Sequence, residues 1–232
     1  MKKKRLLIIP AKSNSQRIKN KNFKNFCGKP MIEYPIEASL KSKLFEKIHI
    51  STESEKIKKK LQKKNIRIDF LRPKKLCKDG VGLFEVYKFV VEKFRKQNML
   101  FDEVWSILPC TPLIDHLDLL KLKRKIENNN IKKPIISISK YNAPIQWAFQ
   151  LNQKNQKLIP LDKKKQILPS QNLTTAYYDV GSITVFDLKN FNTNKKFYDG
   201  NFYGFILPPE KSLDIDELED WKFAEYLKSF KK

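Results

Sequence analysis

The sequence is poor in three things: cysteine, acidic residues and long apolar runs. Cys27, Cys77 and Cys110 are the only cysteines among 232 residues. They are odd in number and unclustered, which excludes a disulfide framework and a cysteine-built metal centre, and fits a reducing compartment. No apolar run approaches the roughly 20 residues of a membrane span. The basic start, residues 1–5, is followed by only four apolar residues, Leu6 to Ile9, before Pro10. That is too short for the apolar core of a secretory leader, so a cytoplasmic protein away from membranes is expected. Acids number 25 against 48 basic residues, a net charge of +23. Such a balance invites a nucleic-acid reading. However, arginine is confined to positions 5, 17, 67, 72, 95 and 124, while lysine is spread along the whole chain. With no zinc-finger, RNA-recognition or helix-turn-helix pattern either, no nucleic-acid partner is expected. No G-x-G-x-x-G follows the first apolar run, which disfavours a dinucleotide-dependent dehydrogenase.

What is present is a regular rhythm. Apolar residues make up 41% of the chain, enough for a sizeable core in one α/β domain. Strands are expected at 6–9, 47–52, 66–71, 104–108, 134–139, 182–186 and 203–207. Helices are expected at 30–41, 54–64, 82–96, 117–127 and about 217–230, with Pro35 a candidate kink in the first of them. Strands alternating with helices imply a mostly parallel sheet covered on both faces. Residues 140–175 break the rhythm. They are polar, contain proline and carry short β-like pieces, which reads as an insertion within a single 1–232 domain. His49 reads as a packed strand residue.

The chain is organised around the loop after its first strand. Between Pro10 and Ile32 lie Lys12, Arg17, Lys19, Lys21, Lys24 and Lys29, with no acid. A cationic loop at the carboxyl end of a first strand is where open α/β sheets bind anionic ligands. Ser13, Asn14, Ser15, Asn20 and Asn22 supply polar side chains and amides for phosphate oxygens. The bland alternative is a solvated basic loop in a lysine-rich chain.

The order of residues favours the first reading. Ile9-Pro10-Ala11, Ser15, Arg17-Ile18, Lys21-Asn22 and Gly28-Lys29-Pro30-Met31-Ile32 resemble, in register, the N-terminal signature of the acylneuraminate cytidylyltransferases, the CMP-sialic acid synthetases. Lys12, Asn14 and Gln16 depart from that signature, which has Arg, Gly and Lys there. The resemblance extends over nearly the whole chain. His49-Ile50-Ser51-Thr52-Glu53 resembles the family's segment at the end of strand two. Leu71-Arg72-Pro73 matches its L-R-P, followed by Leu76 and Asp79. Pro109-Cys110-Thr111-Pro112-Leu113 resembles its P-T-S-P-L, although Leu108 and Ile114 stand where the family has Gln and Arg. Ala143-Pro144-Ile145-Gln146-Trp147-Ala148, Ser170-Gln171-Asn172-Leu173 and Ala176-Tyr177-Tyr178-Asp179-Val180-Gly181 look like the pseudaminic acid branch of the family.

Near the C-terminus, Ser212-Leu213-Asp214-Ile215-Asp216-Glu217 resembles the family's D-I-D segment. Alternation in an extended stretch puts Asp214 and Asp216 on one side, about 6–7 Å apart. Two such carboxylates suit Mg²⁺ with phosphate and water ligands. The alternative is a helix cap at Asp216, paired with Glu219.

The resemblance implies a Rossmann-like, three-layer α/β/α nucleotidyltransferase fold. It also implies a cytidylyltransferase that couples CTP to a nine-carbon 2-keto sugar acid, with Mg²⁺ as cofactor, acting as a homodimer through the 140–175 insertion. By the same resemblance, Lys12, Lys21 and Asp216 are the catalytic candidates, and Asp214 and Asp216 the metal ligands. Arg17 joins Lys12 and Lys21 in neutralising the triphosphate. Ala11, Ser15, Asn22, Asp79, Gly82 and Thr111 fall to the nucleotide, Gly82 through its backbone. Gln146, Gln171 and Tyr178 face the sugar. The competing class is a non-catalytic nucleotide-sugar or polyanion-binding protein on the same fold.

Overall fold

The computed structural model describes residues 3–230, apart from 14, 16, 65 and 190–200. The departures at Asn14 and Gln16 therefore lie outside the described residues.

The elements in chain order are β1 (Arg5–Pro10), β2 (Asn25–Phe26), β3 (Lys29–Pro30), α1 (Glu33–Ser42), β4 (Lys47–Ser51), α2 (Glu55–Gln62), α3 (Leu83–Arg95) and β5 (Glu103–Ile107). Then follow α4 (His116–Asn128), β6 (Ile135–Lys140), β7 (Phe149–Leu151), β8 (Leu158–Pro160), β9 (Tyr177–Asp187), β10 (Tyr203–Ile206) and α5 (Leu218–Ser229). Six strands form one sheet in the order β10-β6-β9-β5-β1-β4. The pairs β1–β4, β1–β5 and β10–β6 are parallel, whereas β9 runs antiparallel between β5 and β6.

The alternation of β1 divides the core. Leu7 and Ile9 face one side, where they pack with Ile36 of α1, Leu61 of α2 and Leu119 and Leu122 of α4. Leu6 and Ile8 face the other side and meet Tyr87, Val90 and Phe94 of α3. A strand buried on both faces must read as a continuous apolar run, which is why residues 6–9 carry no polar side chain. Helices on both faces of this sheet make the three-layer α/β/α arrangement, and β7 and β8 form a separate two-stranded hairpin within residues 140–175.

Two expectations are corrected. No sheet ladder includes residues 66–71 among the described residues. This stretch covers the edge strand β4 through side chains instead: Ile68 is buried, Phe70 stacks on His49 at 4.3 Å, and Lys47 Nζ donates to Asp69 at 2.6 Å. Pro35 is no mid-helix kink, because α1 starts at Glu33 and places Pro35 in its first turn. There the missing N–H costs nothing. His49 is fully buried, as its packing role requires.

Candidate active site

The carboxyl ends of β1 and β5 open into one cleft of about 540 Å³. Its floor comes from the loop after β1: Lys12, Ser15, Arg17, Ile18, Lys21 and Asn22 line it. Asn22 fixes the shape of this loop. It is buried, its Nδ2 donates to Lys12 O at 3.0 Å, and its Oδ1 accepts from the Cys110 thiol at 3.2 Å. Burial pushes that thiol up to about 12, so Cys110 stays protonated and donating. The β1 loop is thus latched to the loop after β5.

The opposite end of the chain supplies the acids. Ile215 is buried against Phe26, Met31, Tyr34 and Trp221, so its neighbours Asp214 and Asp216 both turn into the cleft. Two residues fix this segment from below. Lys211 Nζ donates to Asp115 at 2.8 Å and to Asp118 at 2.6 Å, and Ser212 Oγ lies 2.9 Å from Ser139 Oγ. Asp216 accepts Lys21 Nζ at 2.8 Å on one oxygen and meets Arg17 Nη2 at 2.5 Å on the other. Lys21 also donates to Ile215 O at 2.5 Å. Electrostatics divides the two acids. Burial first, and then the charge of Asp216, raises Asp214 above the usual carboxylate range. Asp216 is itself opposed by burial, yet the Lys21 hydrogen bond and the charges of Lys21 and Arg17 hold it below that range.

Asp216 does not cap α5. That role falls to Glu217, which forms a capping box with Asp220. Glu219 takes no part in that box, and the Asp216 N–H donates to Asp220 Oδ2 at 3.0 Å.

The structure brings Lys12, Ser15, Arg17, Lys21, Asn22, Asp79, Thr111, Asp214 and Asp216 to one cleft. Lys12 and Asp79 face each other at its mouth, 3.6 Å apart. Thr111 is buried, with its hydroxyl donating to Leu108 O at 2.8 Å. Gly82 is the N-cap of α3, flanked by the lining residues Val81 and Leu83. Ala11 is buried and its N–H donates to Ser51 O, so it supports the loop from behind.

Gln146, Gln171 and Tyr178 are not among the residues lining this cleft. Gln146 Nε2 donates to Thr174 O at 3.1 Å, Tyr178 packs edge-on to Tyr141, and Gln171 lines a smaller hollow of about 320 Å³ within the insertion. Sequence reasoning gave no role to Glu53, Arg72, Cys77, Lys78 or Ser182. Four of these line the cleft, and Glu53 bonds to two of its walls. The L-R-P motif was the available signal for Arg72.

A six-stranded sheet with this order, with a cationic β1 loop facing a carboxylate pair, defines a nucleotidyltransferase-type α/β domain. The chain belongs to the cytidylyltransferase family, whose model matches residues 6–229. It is 34% identical over 230 residues to a pseudaminic acid cytidylyltransferase of Campylobacter jejuni, covering 97% of this chain and 96% of that protein. It is 27% identical to an N-acylneuraminate cytidylyltransferase of Escherichia coli, covering 97% of this chain and 52% of that longer protein. The fold is similar to that of a CMP:2-keto-3-deoxy-manno-octonic acid synthetase solved with CTP. The TM-score is 0.69, identity is 15%, and 99% of this chain and 100% of that one are covered.

Proposed function

We propose that this chain couples CTP to a nine-carbon 2-keto sugar acid, pseudaminic acid or a related nonulosonic or sialic acid, giving the CMP-sugar and pyrophosphate. The observation that carries this reading is the meeting of Arg17 and Lys21 with Asp216 beside Asp214 in one cleft. Cations and carboxylates that neutralise each other could exchange partners for a metal–triphosphate. Arg17 and Lys21 would then hold phosphate oxygens, and Asp214 and Asp216 would hold the metal.

The two acids fit Mg²⁺. They are hard oxygen donors on one side of an extended segment, one of them raised by burial beside a like charge. No group of three His, Cys, Asp or Glu side chains able to hold a metal occurs among the described residues. Mg²⁺ needs only one or two carboxylates and takes its other ligands from phosphate and water. Bound there, Mg²⁺ would neutralise charge that builds on the reacting phosphates.

Lys12, Arg17 and Lys21 hold the triphosphate, with Lys21 fixed by Ile215 O so that its charge is aimed before substrate arrives. Lys12 carries charge without the bidentate fork of arginine. Asn22, Thr111 and the backbone at Gly82 shape the nucleotide side. Asp79 closes over it from the mouth. Gln146, Gln171 and Tyr178 serve the sugar from the insertion.

That insertion is also read as the contact of a homodimer. It exposes Trp147, Phe149, Leu151, Leu158, Ile159, Leu161 and Ile167, the last at 80%. These exposed apolar side chains are what supports that reading. Three cysteines, odd in number and unclustered in sequence, are in keeping with a cytoplasmic enzyme.

The test is pyrophosphate release from CTP and Mg²⁺ over a panel of nonulosonic acids. Release with one or more of them is expected, fastest with pseudaminic acid. CTP binding with no release from any acid would favour the non-catalytic binder instead.

A further inference from the structure

Four hydrogen-bond donors from three parts of the chain converge on one carboxylate at the back of the cleft. Glu53 comes two residues after the end of β4. Its Oε1 accepts from the Ser13 backbone N–H at 2.8 Å and from Ser13 Oγ at 2.5 Å. Its Oε2 accepts from Arg72 Nη2 at 3.4 Å and from the Cys77 thiol at 3.3 Å. The two oxygens serve different walls. Ser13 lies between Lys12 and Ser15, which line the phosphate side, whereas Arg72 and Cys77 themselves line the facing wall.

The Arg72 backbone is tied to the end of β4, its N–H donating to Thr52 O at 2.8 Å. Its side chain is only 4% exposed, and its Nε has no hydrogen-bond partner. Glu53 is the carboxylate that this guanidinium meets, at 3.4 Å. Burial works against the Glu53 charge, but the Ser13 hydrogen bonds outweigh it and bring the acid down to about 2, so the brace is ionised at every working pH.

We propose that Glu53 is a positioning residue for the nucleotide. One oxygen holds the phosphate loop and the other holds the Arg72 wall, so the span of the cleft is set before CTP enters. The inference rests on the CTP-dependent reading above. Pre-set walls spare the ligand the cost of ordering them, which appears as affinity for that ligand.

Glu53→Gln keeps the length and removes one acceptor. Its amide NH₂ must face either the two Ser13 donors or Arg72 and Cys77, so one wall is released whichever way it turns. The KM for CTP should rise about tenfold, the loss of one charge-assisted contact, with the KM for the sugar acid within about twofold. Glu53→Asp keeps the charge and should recover part of the loss. Should Glu53→Gln fail to fold, Ser13→Ala removes only the Oγ donor and should raise the CTP KM about threefold, again without touching the sugar acid.

A CTP KM within about twofold of wild type in the variant measured overturns the brace, as does an equal rise in both KM values, which marks general loss of structure. A wild-type protein that neither binds nor turns over CTP overturns the functional reading, and the proposal with it. Wild-type turnover beside an unaffected variant overturns the brace alone.

Discussion

Lys21 Nζ lies 2.8 Å from Asp216 Oδ1, although 195 residues separate them in the chain. This contact closes the cleft between the first loop and the last extended segment, and it puts charges of both signs where a metal–triphosphate would need them. Removing either partner separates binding from folding, because both side chains keep some exposure and the pair itself adds little stability.

Lys21→Ala should weaken CTP binding by about 1.5–3 kcal/mol, a factor of roughly ten or more. The melting temperature should stay close to that of wild type. Titration calorimetry with CTP decides the matter, and wild-type affinity would remove Lys21 from the phosphate site.

Asp216→Asn keeps size and leaves the cap of α5 to Glu217 and Asp220. A stability change of no more than about 1 kcal/mol is expected, together with a large loss of Mg²⁺-dependent pyrophosphate release. Full turnover at saturating CTP and Mg²⁺ would end the metal assignment.

The hairpin of β7 and β8 exposes Phe149 and Leu158, the latter at 59%. If it is the dimer contact, Phe149→Ser with Leu158→Ser should halve the mass seen by light scattering and leave the circular dichroism of the α/β core intact. A wild-type protein that is monomeric at high concentration would defeat this expectation.

His49 gives stability a pH dependence of known sign. Burial, between Phe70 and Phe94, lowers its pKa. The Asp69 carboxylate, 3.6 Å from Nδ1, is beyond hydrogen-bond reach and cannot reverse that, and Lys47 opposes protonation further. A folded pKa below the unfolded one means that this stability is present above about pH 6.5 and is lost as pH falls towards the folded value. The melting temperature should therefore drop between pH 7 and pH 5, above the range where unfolded carboxylates titrate. His49→Phe should flatten that drop, and an identical slope in the variant would exclude His49 as its source.

At the other end of the sheet, Arg5 Nε meets Glu103 at 2.8 Å with both side chains buried, and Trp105 Nε1 donates to the same carboxylate. Glu103→Ala leaves Arg5 buried without that partner and should cost about 3–5 kcal/mol in chemical denaturation. A loss below about 1 kcal/mol would show that water reaches Arg5 in the folded protein.

Much of this architecture is readable without coordinates. The apolar run 6–9 could only be a strand buried on both faces, and the helical spacing in 82–96 could only turn one face inward. The alternation Asp214-Ile215-Asp216 told which way two carboxylates point as soon as Ile215 needed a core. These are local signals, because the period of an element depends on residues a turn or two apart.

Other features were settled in three dimensions. Residues 66–71 alternate like a strand, yet Asp69 and Phe70 found Lys47 and His49 and no ladder partner formed. The antiparallel course of β9 between β5 and β6 depends on which strands came to flank it. The Asp216 cap gave way to Glu217 because Lys21 and Arg17 claimed the Asp216 carboxylate, and Glu53 became a junction only when Ser13, Arg72 and Cys77 met around it. In each case competing partners lay far apart in the chain. Periodicity specifies what a residue can do, while the fold specifies which distant group reaches it first, and burial then makes that choice costly to undo.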